Sequence, residues 1–168
     1  TLLSMQSVVS KANLVKKIYI PKLIIVIATS LTSLMTLVLN LIVFFTFMTI
    51  FGLKFSLSII FFPLYLLELY FFAFGLSLIL AAFFVWFRDL AHIWEIFLQI
   101  LFYATPIIYP IAVIPAKYHW LVFLNPLAQI IQNLRYVSVE PEGLVSPFGW
   151  LAPTLTLVVL ILGLIIFL

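Results

Sequence analysis

The sequence has no cysteine and very little charge. Charged residues make up 8% of its 168 positions, whereas hydrophobic residues make up 67%. Without cysteine the chain forms neither disulfides nor thiolate metal sites. A soluble domain is about a quarter charged, so this chain has too few charged residues to cover a soluble surface. The composition therefore predicts a protein whose solvent is lipid.

Motifs that carry chemistry are also missing. The sequence contains no GxxxxGK[ST] phosphate-binding loop, no HExxH and no GxSxG. Its two histidines, His92 and His119, fall on opposite sides of the predicted membrane, which argues against a shared metal site. No closely paired carboxylates occur within the apolar runs. We therefore expect neither an enzyme nor a bound cofactor.

Long apolar runs dominate what is present. A helix needs about 20 apolar residues to cross the hydrocarbon core, and continuous runs favour helices over the alternating strands of a membrane barrel. We predict an all-α integral membrane protein that forms a single transmembrane domain. Its four predicted spans cover residues 23–51, 57–86, 90–109 and 151–168.

A proline-rich stretch at 110–148 interrupts this pattern. It contains two apolar pieces, and each is about half the length needed to span. The stretch predicts a re-entrant helical hairpin, which dips into the membrane and returns or lies at the interface. Asn125-Pro126 is the predicted start of its second helix, because asparagine caps helices and proline suits the first helical position.

Lysine and arginine set the expected orientation. Residues 1–22 hold four lysines and lie on the same predicted side as Arg88, whereas the other side carries Lys54, Lys117 and Arg135. We therefore expect residues 1–22 to be cytoplasmic and residues 110–148 to be external. The chain begins without methionine and ends inside an apolar run, so we expect it to be part of a longer protein.

Polar residues inside the predicted spans point to function, because placing them in lipid costs free energy. In the third span, polar residues recur at i, i+4, i+7 and i+11, which puts them on one helix face: Arg88, His92, Glu95 and Gln99. Neighbours one turn apart can pair along the helix. The face predicts either a wet pathway or subunit contact, or a charged helix end whose side chains reach water.

Four further features have structural and functional interpretations. Hydroxyls on one face of the first span can bond their own backbone, so they favour helix packing, although Asn40 on that face needs a partner. Glu68 inside the second span is expected to be protonated, paired or hydrated, and structural pairing is favoured over proton coupling. Small residues at 73, 77 and 81 predict a close approach of helices. Aromatic residues near the external segment, including Tyr103, suit sugars or lipid headgroups.

Three ordered stretches resemble the type-2 ABC exporter permeases, the membrane subunits of bacterial polysaccharide, O-antigen and teichoic acid exporters. SKANLVKKIYIP at 10–21 is similar to the family's NANLIKKVYFP, and the stretch from Gly75 to Asp89 is similar to its GL…LAA…FRD. TPIIYP, IP and LNPL between Thr105 and Leu127 resemble its SPIIYP…VP…LNPL. Thr105 replaces a common serine, and Trp86 stands where the family often has a small or polar residue.

The resemblance implies a six-span subunit, of which this chain would contain the third to sixth spans. It implies a homodimer that pairs with two cytosolic ATPase subunits, which bind ATP and magnesium. Residues 1–21 would contain the coupling segment, with Lys11, Asn13, Lys16 and Lys17. The other residues it implicates are the cytoplasmic loop Phe87, Arg88 and Asp89, the pathway candidates His92, Glu95, Gln99 and Tyr103, and the external hairpin residues Pro106, Tyr109, Pro110, Asn125 and Pro126.

The leading hypothesis is export of a lipid-linked polysaccharide across a bacterial inner membrane, driven by ATP hydrolysis on a partner chain. A drug or small-lipid exporter of the same superfamily is the nearest alternative. A membrane scaffold without transport is an alternative from another class, and co-purification with an ATPase would distinguish it. A membrane-bound acyl or glycosyl transferase would need His92 or Glu68 in a defined pocket.

Overall fold

The computed structural model describes residues 1–3, 22–52, 57–107, 109, 111–138 and 149–167. Six α-helices have both ends among these residues, residues 2 and 3 are also helical, and the described residues contain no strand, so the predicted all-α class is confirmed. The helices are α1 (Lys22–Ile50), α2 (Phe62–Trp86), α3 (Leu90–Ala104), α4 (His119–Phe123), α5 (Pro126–Ser138) and α6 (Leu151–Phe167). Short 3-10 helices cover Leu57–Phe61, Ile111–Val113 and Ala116–Tyr118.

Two stretches are long and apolar enough to cross a bilayer, Leu23–Ile50 and Ser58–Trp86. They correspond to the first and second predicted spans. α3 and α6 are also apolar, but they contain only 15 and 17 residues. The number of membrane crossings therefore stays a prediction.

Local chemistry explains where the helices begin and end. α1 gives way to a turn at Phe51-Gly52, where Gly52 has a φ of 66°, a left-handed conformation that glycine adopts without steric cost. α2 carries Pro63 in its first turn, where a missing N–H breaks no helical hydrogen bond. The third predicted span covers residues 90–109, whereas the helix within it is shorter. α3 ends at Ala104 because the next residue, Thr105, precedes a proline and disfavours helical geometry.

The chain divides into two compact units. Unit 1 comprises Thr1–Leu53, Ala73–Glu95 and Val159–Leu168. It therefore holds the start of α3 and the ends of α2 and α6. Unit 2 comprises Lys54–Phe72 and Ile96–Val158, and so includes both helices of the predicted hairpin.

Unit 1 has an apolar core made by its helices. Val26 of α1 and the buried Leu78 and Ala81 of α2 form one cluster, against which Leu164 and Phe167 of α6 pack. A second cluster joins the end of α2 to the start of α3 and contains Leu80, Phe84, Leu90, Ala91 and Trp94. In lipid, such packed helices are stabilised by van der Waals contacts between their side chains.

Two glycines allow α2 and α6 to touch along their backbones. A Cβ on Gly75 would lie 2.9 Å from the Leu160 Cα, and one on Gly163 would lie 2.6 Å from the Gly75 carbonyl oxygen. Residue numbers rise together along this contact, so the two helices run in the same direction there. This close approach involves Gly75, whereas the approach expected at residues 73, 77 and 81 stays a prediction.

Hydroxyl groups along α1 bond to the helix's own backbone, as predicted. Thr29 Oγ1 donates to the carbonyl oxygens of Ile25 and Val26, each at 3.0 Å. Ser33 and Thr36 donate to the carbonyls one turn earlier at 3.1 Å. These bonds satisfy the hydroxyls inside an otherwise apolar helix.

Candidate functional site

The turn between α2 and α3 contains the predicted cytoplasmic motif Phe87-Arg88-Asp89. The Phe87 carbonyl accepts from the Leu90 amide at 3.2 Å, and the Asp89 carbonyl accepts from the His92 amide at 3.1 Å. The backbone therefore closes the turn with local hydrogen bonds. All three side chains of the motif are exposed.

α3 presents the predicted pathway residues on one face. We call His92, Glu95, Gln99 and Tyr103 the polar face of α3. All four are exposed, and no residue of α3 is buried in the described structure. Tyr103 lies nearest the C-terminal end of α3, and its side chain is 70% exposed. The polar groups of this face are therefore available to a partner, a substrate or water.

The pairing suggested along this face is not formed. Among the described residues, no hydrogen bond or ion pair joins the side chains of Arg88, His92 and Glu95. Each of them is exposed, and an ion pair between exposed side chains is worth little because water screens both charges. The spacing brought these groups to one face without binding them to each other.

Asn125 caps the second helix of the predicted hairpin, as expected. Its Oδ1 accepts from the Leu127 amide at 3.0 Å, and Pro126 is the first residue of α5. Its Nδ2 also donates to the hydroxyl of Thr105 at 3.1 Å. Thr105 is 1% exposed, so one asparagine both starts α5 and fixes the chain just beyond α3.

Gln129 is the most enclosed polar side chain of unit 2, with no exposed surface. Its Nε2 donates to the carbonyl of Phe123, the last residue of α4. Its Oε1 accepts from the Ala152 amide, in the first turn of α6, at 3.0 Å. Helix ends leave such backbone groups without partners inside the helix. One amide therefore joins the end of α4 to the start of α6.

Two further bonds secure the segment that follows α3. The Arg135 guanidinium on α5 donates to the Ile107 carbonyl at 2.9 Å. The Tyr109 hydroxyl donates to the Tyr103 carbonyl at 3.0 Å. Pro106 is fully buried beside them. The predicted hairpin residues therefore form a fastened structural element rather than a set of free polar groups.

Some buried polar atoms of unit 2 have no hydrogen-bond partner among the described residues. They are Glu68 Oε1 on α2, Gln132 Nε2 on α5 and Thr156 Oγ1 on α6. The structural pairing favoured for Glu68 is therefore not found within the described residues. Asn40 on α1 is exposed and likewise has no side-chain partner there.

Some predicted residues lie outside the described part of the chain. They are the coupling candidates Lys11, Asn13, Lys16 and Lys17, together with Pro110. In the described part, no group of three or more histidine, aspartate or glutamate residues could hold a metal ion. The polar residues of the described part can donate and accept hydrogen bonds and make packing contacts.

Sequence reasoning missed the role of Gln129 and assigned Arg135 only to orientation. Thr105 drew attention only as a conservative replacement for serine. A signal was present, since amide side chains are expensive in a helix predicted to lie at the membrane, and α5 contains Gln129, Gln132 and Asn133. The bonds of Gln129 to Ala152 and of Arg135 to Ile107 depend on chain segments more than 20 positions away.

Comparisons with known proteins agree with the resemblance. The profile of the family described as ABC-2 type transporter matches residues 2–139. Two proteins of Klebsiella pneumoniae named O-antigen export system permease protein RfbA are 29% and 30% identical over 133 residues, which cover 79% of this chain and 51% of theirs. A protein of the same name from Myxococcus xanthus is 28% identical over 132 residues, with 77% of this chain and 51% of its own length covered. The chain spans about half the length of the relatives it matches.

Proposed function

Because the chain belongs to the ABC-2 type transporter family, we propose that it is the membrane-spanning permease subunit of an ATP-driven exporter of lipid-linked polysaccharide. The cargo would be of the O-antigen, capsule or teichoic acid type. The relatives named as O-antigen export permeases support this substrate class. ATP hydrolysis belongs to a partner subunit in this proposal.

The observation that carries the proposal is the polar face of α3. The helix is apolar, yet it exposes an imidazole, a carboxylate, an amide and a phenol along one side. Against lipid these groups would be costly. Against a hydrated pathway they can donate and accept hydrogen bonds with sugar hydroxyls. Processive movement of a glycan requires weak and repeated contacts, which a row of such groups offers.

The hairpin has a different role in this proposal. Asn125, Gln129 and Arg135 fasten it to the end of α3 and the start of α6. An element held by these hydrogen bonds can keep its position on the external side while other helices tilt. ATP-driven closure of the partner subunits would move residues 1–22, the proposed coupling segment, and the helices would follow as rigid bodies.

The proposed assembly contains a second copy of the chain and two cytosolic ATPase subunits in the bacterial inner membrane. Residues 1–22 would face the cytoplasm, and residues 110–148 would face outward. Co-purification with an ATPase would support transport over a scaffold role. A drug exporter of the same superfamily would instead need a compact apolar cavity for its cargo.

Replacing Gln99 with leucine tests the pathway role. We expect Gln99→Leu to reduce export of the glycan severalfold, because the exposed amide would no longer bond to the moving sugar. Surface glycan in a strain that depends on the variant is the measurement. Co-purification of the ATPase should be unchanged, because Gln99 is exposed and supports no other residue.

Gln99→Asn is the matched control, since it keeps an amide at the same position. Export should be retained in this variant. Wild-type export by Gln99→Leu would remove Gln99 from the pathway, and loss of the ATPase partner would move the residue to the assembly interface.

A further inference from the structure

An apolar groove lies where α2 and α6 end in unit 1. Its volume is about 360 Å³, and it is lined by Ala82, Phe83, Trp86, Phe87 and Ile166. This volume falls in the range of about 300–1,000 Å³ typical of small-molecule pockets. The groove follows the close contact of α2 and α6 at Gly75 and Gly163 toward the C-terminal ends of the helices. Its lining carries no charge.

Two large aromatic side chains of the lining are mostly exposed. The Trp86 side chain is 84% exposed and that of Phe87 is 67% exposed. Indole rings favour the boundary between hydrocarbon and headgroups. The groove therefore presents aromatic and aliphatic surface at the level where a lipid changes from chain to headgroup.

The groove lining is followed in the chain by a cation. Arg88 directly follows Phe87, is exposed and forms no ion pair or hydrogen bond among the described residues. A guanidinium group matches the geometry of phosphate oxygens. Arg88 also lies on the side predicted to be cytoplasmic, where anionic lipids attract basic residues.

We propose that this groove binds an anionic phospholipid, with an acyl chain against Trp86 and Phe83 and the headgroup phosphate at Arg88. The charge of Arg88 and the apolar lining together match the two ends of such a lipid. The neighbouring Asp89 carboxylate is exposed and would repel an anionic headgroup. A preference for an anionic lipid at this site therefore depends on Arg88. None of the residues that line the groove belongs to the polar face of α3, and the site is independent of which cargo is exported.

Bromine on an acyl chain quenches indole fluorescence on contact, which gives a direct test. The assembled transporter would carry Trp86 as its sole tryptophan, after replacement of Trp94, Trp120, Trp150 and every tryptophan outside these 168 residues by phenylalanine. It would be placed in nanodiscs containing brominated phosphatidylglycerol or brominated phosphatidylcholine. We expect strong quenching of Trp86 with about a fivefold preference for the anionic lipid, the effect expected of one basic residue at a membrane surface.

Substitutions of Arg88 show whether the preference belongs to this site. Arg88→Gln should remove the preference while quenching continues, and Arg88→Lys should retain most of it. A reporter with Trp150 alone is the matched control, because this indole is equally open at 85% exposure and is not among the residues that line the groove. It should show no dependence on Arg88.

Two results would overturn the proposal. An unquenched Trp86 would mean that protein covers the groove, and equal quenching by both lipids that Arg88→Gln leaves unaltered would mean that ordinary bulk lipid contacts it. If the single-tryptophan variants fail to fold, native mass spectrometry of the otherwise unaltered transporter compares bound phosphatidylglycerol in Arg88→Gln and its parent. Equal retention there would also overturn the site.

Discussion

At the scale of single residues, two glutamines have opposite environments. Gln99 is exposed on α3, whereas Gln129 has no exposed surface and makes two hydrogen bonds to backbone groups. The Gln129 amide holds two helix ends together. The Gln99 amide is exposed. The same side chain therefore joins helix ends at position 129 and is open to its surroundings at position 99, where a role in transport is a proposal.

Gln129→Leu should destabilise the protein. It would leave the Phe123 carbonyl and the Ala152 amide unpaired in a buried place, where each unsatisfied group costs about 1–3 kcal/mol. We expect a loss of about 2–5 kcal/mol in the free energy of unfolding, measured by denaturation of the purified protein in detergent.

The identical change at Gln99 is the control for this prediction. Because Gln99 is exposed, Gln99→Leu should alter stability by no more than about 0.5 kcal/mol. Equal effects of the two substitutions would contradict the structural role assigned to Gln129.

The hydrogen bond made by the Thr105 hydroxyl explains why serine is common at the same position in the family. Its hydroxyl accepts from Asn125 Nδ2 at 3.1 Å, and a serine hydroxyl would serve equally. We expect Thr105→Ser to leave stability nearly unchanged and Thr105→Val to cost about 1–3 kcal/mol, because valine leaves the Asn125 amide unpaired. In an Asn125→Ala background the cost of Thr105→Val should shrink. A cost that stayed the same would show that the two side chains are not coupled.

At the scale of helices, α1 and α2 differ in how much of their surface the chain itself covers. Only 6% of the most apolar window of Leu23–Ile50 is buried, against 39% for Ser58–Trp86. Both stretches have the length and composition to cross a bilayer. α2 acts as a central support because it packs against α1, α3 and α6 in unit 1. α1 keeps most of its apolar surface for lipid or for other protein.

The contact of α2 with α6 depends on the absence of side chains. Gly163→Ala should destabilise the protein by about 1–3 kcal/mol, since a new Cβ would meet the Gly75 carbonyl oxygen at 2.6 Å and force the helices apart. Gly149→Ala is the control, because nothing lies within 4 Å of a Cβ there. Thermal denaturation of both variants measures the difference. An unchanged midpoint for Gly163→Ala would mean that the helices are farther apart than described.

At the scale of the whole molecule, orientation in the membrane is the main open prediction. The cysteine-free sequence suits it to labelling at single introduced cysteines. Asp89→Cys and Lys117→Cys both place a thiol at an exposed position. In spheroplasts, an impermeant maleimide should label Lys117→Cys and should reach Asp89→Cys only after lysis. After replacement of any cysteine outside these 168 residues, the protein without an introduced cysteine should show no labelling, and the reverse pattern would invert the predicted topology.

The sequence by itself determined the class of protein and much of its local structure. Low charge and long apolar runs require an apolar environment whatever the fold is. Helix starts such as Asn125-Pro126 and the backbone bonding of the hydroxyls on α1 depend on neighbours within four positions, so sequence reasoning can reach them. The polar face of α3 follows from helical periodicity in the same way. The family follows from ordered motifs that the comparison with known proteins supports.

Only the tertiary structure decided which of the polar and small residues hold the molecule together. Gln129, Arg135 and Thr105 bond to segments 20 or more positions away, and no local pattern specifies such partners. The contact at Gly75 required α6 to be placed beside α2. The groove at Trp86 likewise exists only because the ends of these two helices meet around it. Periodicity assigns residues to a face, but packing determines what each face contacts.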